Sequence, residues 1–353
     1  MRATLPRRLA CGRRWPADRM NAAPVRAGVI GAGLMGGVHA RAAIRAGAVI
    51  EAVADADSGR ARELAASLGR SCEPMTIDDL LRSRRLDAVH VCTPPTEHYA
   101  LCEAALAAGK HVMCEKPVAQ TASEVEALVR LARTSGVQFC PVHQFPFQRG
   151  MRDLMTHANR LGPVSHVSAE MCTAGAVGMS PAARHQVALD ILPHPLSLFK
   201  LFASESIGTV DWKVSCGAHG EIAVIGVTGH TCLSLLLSTT GRPTSNSLRI
   251  FGEQGTATVD LFHGYAVVES GHVSRLRKMS RPFVASGLTL GHAAANGLRR
   301  GLSGETEFPG LRELVSRFYS AVRGDLPAPI PPEAVIDVAI ARDRIISLIS
   351  VPA

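Results

Sequence analysis

A glycine-rich run follows directly on the first apolar, β-branched segment of the chain. Residues 26–30 read RAGVI and residues 31–36 read GAGLMG. Glycines at this spacing permit a tight strand-to-helix turn, close approach of a pyrophosphate and close packing of the helix. The N–H groups and positive dipole end at the start of that helix favour phosphate. The run therefore predicts a dinucleotide-binding loop, with contacts from Gly31, Gly33, Leu34 and Met35.

The surroundings of this run favour the dinucleotide interpretation over a plain glycine-rich turn. From residue 25 to about residue 142, short apolar strands alternate with alanine-rich helical patterns, which is typical of βαβ units and a parallel sheet. We therefore expect an α/β N-terminal Rossmann domain with a doubly wound parallel sheet over residues 25–143. The predicted strands are 26–30, 49–54, 86–92, 111–114 and 137–141, and the predicted helices are about 34–46, 58–67, 96–108 and 121–135.

Residues 144–353 have the pattern of an α+β domain with a large, mostly antiparallel open sheet. Gly252 and Gly255 predict a hairpin, because glycine supplies the positive φ that tight connections need. Residues 271–308, rich in Gly, Ser, Arg and His, look like a long loop. The other predicted elements are a helix to about residue 159, strands at 222–227, 231–238, 248–251 and 256–261, and helices at 310–322 and 332–349, the last starting at Pro331-Pro332.

Most of the positive charge lies in the first residues of the chain. The 353 residues carry a net charge of +8, and residues 1–19 hold six Arg against one Asp, which leaves +3 for the remainder. A nucleic-acid partner is therefore not expected. The basic leader 1–24 resembles a transit peptide in composition, but a start at Met20 explains it more simply, as an over-extended or disordered segment.

Membrane spans and metal sites lack sequence support. No apolar run reaches the roughly 18 residues that indicate a membrane span. The nine cysteines contain no C-x-x-C pair, which argues against a disulfide framework and against a zinc site. We therefore expect a reducing, cytoplasmic compartment, no bound metal and no membrane partner.

An acidic residue follows the second predicted strand. Asp55 lies 19 positions after Gly36, close to the roughly 20-residue spacing at which an acid binds the ribose hydroxyls of the cofactor. A carboxylate there repels the 2′-phosphate of NADP, so NAD is favoured as the cofactor. Arg60 could offset part of that repulsion, which leaves NADP open.

Two further motifs follow the later strands of the predicted sheet, TPPTEH at 93–98 and EKP at 115–117. They resemble the Gfo/Idh/MocA family of glucose-fructose oxidoreductases and inositol dehydrogenases, whose members carry a Thr-Pro-x-x-x-His loop and a Glu-Lys-Pro turn. The resemblance covers nearly everything from residue 25 onward. It implies that the cofactor is bordered by Thr93, Pro94, His98, Glu115 and Lys116.

Lys116 is the residue of these motifs with the most direct chemical role. An exposed loop lysine is the alternative explanation, but Lys116 ends a strand of buried character at the sheet edge where ligands bind in doubly wound folds. The resemblance implies that Lys116 reaches the substrate hydroxyl and is catalytic.

The family also carries an Asp-x-x-x-His pair, matched here by Asp190 and His194. Spacing alone would equally suit a polar pair at the mouth of a core helix, whereas the resemblance implies that both complete the catalytic site with Lys116. Pro195 disfavours the α conformation at His194, so a helix should begin near His194. The positive dipole end of that helix would keep the ring neutral, as a base near pH 7.

Two positions depart from the family pattern. Ser197 stands where an acid is common, and Gln144-Phe145 stands where an arginine and an aromatic residue are common. Both positions tend to line the substrate pocket in the family. An inositol or glucose specificity is therefore not expected from these residues, and the substrate stays open among polyols and sugars.

The resemblance implies hydride transfer between NAD and a secondary alcohol or ketone of a sugar, cyclitol or nucleotide-sugar-like substrate. Substrate contacts are expected from Gln144, Lys116, Asp190 and His194. Two other interpretations stay open: an NAD-retaining glycosidase or epimerase that oxidises its sugar transiently, and a non-catalytic NAD or sugar sensor. The resemblance also implies a homo-oligomer, a dimer or a tetramer.

Overall fold

The computed structural model describes residues 23–217, 220–271, 274–303 and 308–349. Residues 1–22 of the predicted leader lie outside these ranges. The described residues divide into two compact units, of which one holds residues 23–143 together with Leu311–Ala339, and the other holds the described part of Gln144–Gly310 together with residues 340–349. Among the described residues the chain first passes from one unit to the other between His143 and Gln144, and the predicted domain bounds stay a prediction. The grouping of residues 311–339 with the N-terminal unit was not foreseen.

The regular elements are numbered in chain order. The strands are β1 Arg26–Ile30, β2 Val49–Ala54, β3 Glu73–Met75, β4 Ala88–Val91, β5 His111–Cys114, β6 Phe139–Pro141, β7 Val164–Cys172, β8 Lys213–Cys216, β9 Ile222–Thr228, β10 Thr231–Ser238, β11 Ser245–Gly252, β12 Gly255–Asp260 and β13 Tyr265–Ser270. The helices are α1 Leu34–Arg45, α2 Ser58–Leu68, α3 Ile77–Arg82, α4 His98–Ala107, α5 Ala122–Thr134, α6 Arg149–Thr156, α7 Pro181–Ile191, α8 Pro193–Phe202, α9 Arg275–Ser303, α10 Leu311–Val322 and α11 Pro332–Leu348.

The N-terminal unit is built on a six-stranded sheet in the order β3-β2-β1-β4-β5-β6. Every neighbouring pair in it is parallel, which confirms the predicted doubly wound fold. The strand order reverses between β1 and β4, and ligands bind outside the carboxyl ends of the strands at such a switch point. The glycine run follows β1 and the Thr93 loop follows β4, so two predicted cofactor segments lie at this point.

The other unit is built on a seven-stranded sheet in the order β13-β12-β11-β7-β10-β9-β8. Its pairs are antiparallel except for β7 with β10, which confirms the mostly antiparallel sheet. One face is packed and the other leaves apolar residues exposed. Along β9, Ile222 and Val224 are buried while Ile225 and Val227 are exposed, and Leu236 of β10 is exposed as well.

The hairpin between β11 and β12 is confirmed, but the predicted reason for its glycines is wrong. Neither Gly252 nor Gly255 has a positive φ. A Cβ on Gly252 would overlap the carbonyl oxygen of Leu161, and a Cβ on Gly255 would lie 2.7 Å from the carbonyl oxygen of Arg160. The two glycines are needed because another segment of backbone passes close to the turn.

The predicted long loop at 271–308 is wrong, since residues 275–303 form the 29-residue helix α9. Polar side chains tie one side of α9 to the end of the sheet: Arg281 pairs with Glu269 at 2.9 Å, and Asn296 and Arg300 donate hydrogen bonds to the carbonyl oxygen of His263. These tertiary contacts outweigh the low helix propensity of its glycines. Large apolar side chains of α9 are exposed to solvent, namely Met279, Phe283, Leu290, Leu298 and Leu302.

Candidate active site

The first and last glycines of the run at 31–36 are required by the protein itself. Gly31 has a φ of +99°, and a Cβ there would lie 2.6 Å from the carbonyl carbon and oxygen of Cys92. A Cβ on Gly36 would overlap the carbonyl oxygen of Gly31. Since the obstructing atoms are backbone, no side chain can move to make room. These two glycines bring α1 against the turn that precedes it.

The middle glycine of the run has a different environment. Gly33 is the N-cap of α1, with φ −74° and ψ −165°, and no side chain caps the helix there. No heavy atom lies within 4 Å of a Cβ built on Gly33, and the first turn contains no acidic residue. Leu34, the next residue, is 70% exposed. A helix start with open space and no anion of its own fits the pyrophosphate of a dinucleotide.

Asp55 is held beside this loop by two backbone hydrogen bonds. Its Oδ2 accepts the N–H of Ala32 at 2.7 Å, and its Oδ1 accepts the N–H of Asp57 at 2.8 Å. Arg60, which could have offset the charge of Asp55, pairs with Asp57 at 3.4 Å. Hydrogen bonds from the N–H groups of Gly59 and Arg60 lower the pKa of Asp57. Two carboxylates therefore stand at the end of β2, where the cofactor ribose is predicted.

The Thr93 loop and the Glu-Lys-Pro turn are joined by one imidazole. His98 is buried, and its ring nitrogens lie 2.8 Å from the carbonyl oxygen of Thr93 and 2.7 Å from that of Pro117. Both nitrogens of His98 are thus occupied by backbone, so the ring fixes the two loops relative to each other. The Oγ1 atom of Thr93 is buried and has no hydrogen-bond partner among the described residues. A buried, unsatisfied hydroxyl fits a bound ligand at this loop.

Glu115 and Lys116 follow β5 directly. Glu115 is buried, and its Oε2 accepts the backbone N–H of Lys116 at 3.2 Å. Burial raises the pKa of Glu115, but the hydrogen bond and charge of His39, together with the charge of Lys116, outweigh burial and lower it. Glu115 is therefore a carboxylate at neutral pH, despite its burial.

His143, which the sequence analysis did not single out, is electrostatically coupled to this turn. It lies just after β6, the neighbour of β5, and is buried. Burial and the positive charge of Lys116 lower its pKa to about 4, against an opposing effect of Glu115. His143 is therefore neutral near pH 7. The sequence indicates His143 only by its position. It follows the predicted strand 137–141, and the carboxyl ends of parallel strands lie at the same edge of the sheet.

The sequence analysis also did not indicate a second group of buried side chains. His39 of α1 contacts Glu115 and His90 of β4, and His90 contacts Tyr319 of α10. All four side chains are buried. Only His39 has a local signal, since it follows Gly36 by three positions and so belongs to the inner face of α1.

In the other unit, Asp190 is on the last turn of α7 and His194 is on the first turn of α8. Leu192 joins the helices in the α conformation, so Asp190 and His194 keep the four-residue spacing of helix neighbours. The predicted helix start near His194 is confirmed, but α7 was not predicted. Because the negative end of α7 adjoins the positive end of α8, the expected dipole effect on His194 stays a prediction.

The surroundings of His194 include a second predicted site residue. Its ring stacks on Phe145 at a centroid distance of 4.4 Å and an interplanar angle of 21°. Gln144 directly precedes Phe145, and its Oε1 atom is buried without a hydrogen-bond partner among the described residues. Ser197 donates to the carbonyl oxygen of His194 at 2.7 Å, so it serves the helix backbone. Gln186 donates to Asp190 at 2.9 Å.

The described residues contain no group of three or more His, Cys, Asp or Glu side chains that could hold a metal ion. Across the same ranges, none of the helices has the length and apolar character to cross a membrane.

The N-terminal unit has similarity to known proteins. Residues 25–143 match a family described as an oxidoreductase family with an NAD-binding Rossmann fold. Inositol 2-dehydrogenase 1 of Saccharopolyspora erythraea is 43% identical over 111 residues, which are 30% of this chain and 32% of that enzyme. The match thus spans about a third of the length of that relative.

Longer matches have lower identity. UDP-N-acetylglucosamine 3-dehydrogenase of Acidithiobacillus ferrooxidans is 28% identical over 256 residues, which are 68% of this chain and 75% of that enzyme. A solved structure of UDP-N-acetylglucosamine 3-dehydrogenase from the same organism has a TM-score of 0.73 at 21% identity, covering 93% of this chain and 98% of that one. At that identity the likeness shows the shared fold alone.

Proposed function

We propose, because residues 25–143 match the Gfo/Idh/MocA oxidoreductase family, that the chain transfers a hydride between a nicotinamide cofactor and a secondary alcohol or ketone of a sugar-like substrate. The observation that carries this proposal is Lys116, which follows β5 at the carboxyl edge of the sheet that bears the glycine loop. A bound NAD would accept or donate the hydride at C4 of its nicotinamide ring.

Each predicted catalytic residue has a role that suits its chemistry. Lys116 hydrogen-bonds the reacting oxygen and stabilises the alkoxide charge that develops there. His194 takes the hydroxyl proton in oxidation and returns it in reduction. Asp190 orients His194, which follows it by four residues. The stacking of His194 on Phe145 supports a fixed orientation for the base.

The cofactor is bound by Gly31, Gly33 and the N-terminus of α1 at its pyrophosphate and by Asp55 at its ribose. NAD is preferred over NADP, because a 2′-phosphate would meet the carboxylates of Asp55 and Asp57. The pairing of Arg60 with Asp57 supports this preference, since it leaves Asp55 without that arginine as a counter-ion.

The substrate class is that of sugars, cyclitols and nucleotide sugars. Relatives named inositol 2-dehydrogenase and UDP-N-acetylglucosamine 3-dehydrogenase support it. The buried Oε1 atom of Gln144 offers an uncharged acceptor for a substrate hydroxyl. An amide there favours neutral polyol groups over the carboxylates that an arginine would bind.

The test is a panel of sugars, cyclitols and nucleotide sugars, each assayed with NAD and with NADP by nicotinamide absorbance. We expect turnover with at least one neutral polyol, and a kcat/KM at least about tenfold higher with NAD, which corresponds to about 1.4 kcal/mol. Substrate conversion with tightly retained NAD and no net absorbance change would instead indicate the NAD-retaining mechanism. Binding without any conversion would indicate a sensor.

We also propose a homo-oligomer that uses the exposed face of the seven-stranded sheet. Ile225 and Val227 of β9 lie on that face with Leu236 of β10, because Ala223 and Leu236 are paired. Apolar side chains grouped on an exposed sheet face are typical of protein interfaces.

The eight cysteines of the described residues are free, which supports the proposed reducing, cytoplasmic location.

Val227→Glu is expected to shift the protein toward the monomer, because a charge would be buried in the interface. Light scattering after size exclusion measures the mass. Phe283→Glu is the matched comparison, since Phe283 is 81% exposed and belongs to helix α9, not to the sheet. Dissociation by Phe283→Glu but not by Val227→Glu would contradict the assigned surface, and a monomeric wild type would contradict the oligomer itself.

A further inference from the structure

A continuous chain of hydrogen-bonded side chains runs through the interior of the N-terminal unit. Glu115 Oε1 lies 3.0 Å from His39 Nε2, His39 Nδ1 lies 2.9 Å from His90 Nδ1, and His90 Nε2 lies 2.6 Å from the hydroxyl of Tyr319. Glu115 is 8% exposed and the other three are 0% exposed. The four residues come from four separate segments, namely α1, β4, the turn after β5 and α10. Each contact is therefore tertiary.

The hydrogen-bond geometry limits where the protons are. His39 Nε2 faces a carboxylate, which only accepts, so Nε2 of His39 carries a proton. The contact between the two Nδ1 atoms requires one ring to donate and the other to accept. If His39 donates there too, it is an imidazolium, and His90 is neutral with its proton on Nε2 toward Tyr319.

The charges around His39 favour the imidazolium. Burial by itself lowers the pKa of His39, but its contacts with Cys92 and Glu115 outweigh burial and raise it. Burial raises the pKa of the Cys92 thiol and the charge of His39 opposes that rise, whereas Glu115 is a carboxylate hydrogen-bonded to His39. Burial and the charge of His39 lower the pKa of His90. One positive and one negative charge are thus paired in the interior.

We propose that His39 is a positioning residue for Lys116, which it controls through Glu115. The Oε1 atom of Glu115 is held by His39, and its Oε2 atom accepts the backbone N–H of Lys116 at 3.2 Å. The carboxylate is therefore fixed at both oxygens, and the start of Lys116 is fixed with it. This inference rests on the proposed function only in assigning a catalytic task to Lys116.

The position of His39 gives this arrangement a second consequence. His39 is on α1, six residues after Gly33, so the helix that starts at the glycine loop also holds the turn that carries Lys116. A misplacement of about 1 Å at a reacting group can cost about a hundredfold in rate. Loss of the His39 contact should therefore lower kcat much more than it raises KM.

The first experiment needs no cofactor and no substrate. Nitrogen-15 spectra of the histidine rings should contain one of the 14 histidines that stays doubly protonated well above pH 7.5. This signal should disappear in His39→Gln, and in Glu115→Gln its pKa should fall, because burial then acts without the carboxylate that opposes it. It should persist in His157→Gln, the control, since His157 is exposed. A wild type in which no histidine stays doubly protonated above pH 7.5 would overturn the inference.

Stability against pH gives an independent readout. Because the folded pKa of His39 is raised, its contribution to stability is full below the unfolded value of about 6.5 and is lost as pH rises through the folded pKa. The melting temperature of the wild type should therefore fall more steeply above pH 7 than that of His39→Gln. Parallel curves would contradict a buried imidazolium at His39.

The kinetic experiment separates positioning from mere folding. In His39→Gln, with an unchanged circular dichroism spectrum, kcat should fall at least about thirtyfold while the NAD affinity changes less than about threefold. An unchanged kcat would overturn the positioning role. If no substrate is found for the wild type, the proposed function fails, whereas the nitrogen-15 and pH results still decide whether the His39–Glu115 ion pair exists.

Discussion

Replacing Lys116 by alanine is expected to lower kcat about a thousandfold while NAD binding stays within about threefold of the wild type. The loss follows from the removal of the group that stabilises charge on the reacting oxygen, and groups of this kind contribute about 10² to 10⁴ in rate. The backbone N–H that Glu115 accepts is retained in the variant, so the turn itself should keep its position. Steady-state kinetics and calorimetric titration with NAD measure the two quantities.

Lys213→Ala is the matched control, because Lys213 is exposed and pairs with the exposed Asp211 at 2.8 Å. It should leave kcat and KM unchanged. In Lys116→Ala the pKa of His143 should rise from about 4 toward its ordinary value, since the charge of Lys116 is one cause of its depression. Unchanged turnover in Lys116→Ala would refute the catalytic assignment. An unchanged titration of His143 would contradict the electrostatic contact.

The N-terminal sheet was predictable because its strands are apolar and each is followed by a motif or a helix signal. The exception is β3 with α3. β3 comprises only Glu73, Pro74 and Met75, too short and too polar for any periodicity, and it is a strand because it pairs with β2 at the sheet edge. Tertiary pairing decides such a segment, and local pattern does not.

The prediction of a loop in place of helix α9 was wrong for a related reason. Its four glycines, at 287, 291, 297 and 301, each cost about 1 kcal/mol of helix propensity relative to alanine, and composition therefore indicated a loop. The stabilising contacts come from Glu269 and from the carbonyl oxygen of His263, which local sequence does not reveal. Long-range contacts outweighed the local preference.

The candidate site also contains residues that local sequence indicates and residues that it does not. Motifs indicated the candidate site residues at strand ends and helix starts, because those positions have local signatures. They did not locate the residues behind them: His39 pairs with residues 51 and 76 positions away, and His90 with one 229 positions away. For His98 the sequence predicted a place beside the cofactor, and the structure adds contacts with two backbone carbonyls. Its contact with the cofactor stays a prediction.

Alanine substitutions at Gly36 and Gly33 are expected to have opposite consequences. Gly36→Ala should cost at least about 3 kcal/mol of unfolding free energy, because its Cβ would overlap the carbonyl oxygen of Gly31 and backbone cannot yield cheaply. Gly33→Ala should cost at most about 1 kcal/mol, the difference between a glycine and an alanine N-cap. Its φ and ψ suit alanine, and a Cβ there meets no atom within 4 Å. Chemical denaturation measures both values.

The affinity for NAD tests the role of Gly33 separately from the stability of the fold. In Gly33→Ala the methyl group occupies the space through which a pyrophosphate approaches the N–H groups of α1, so the Kd for NAD should rise at least about tenfold, or about 1.4 kcal/mol. Gly287→Ala is the control: it also has open space around its Cβ, lies inside α9, and should stabilise the fold by up to about 1 kcal/mol without affecting NAD. A Gly33→Ala variant with wild-type affinity would mean that the pyrophosphate is not bound at the start of α1. A Gly36→Ala variant with wild-type stability would contradict the close packing of α1 on the turn, and with it the reason why the run has a glycine at its sixth position.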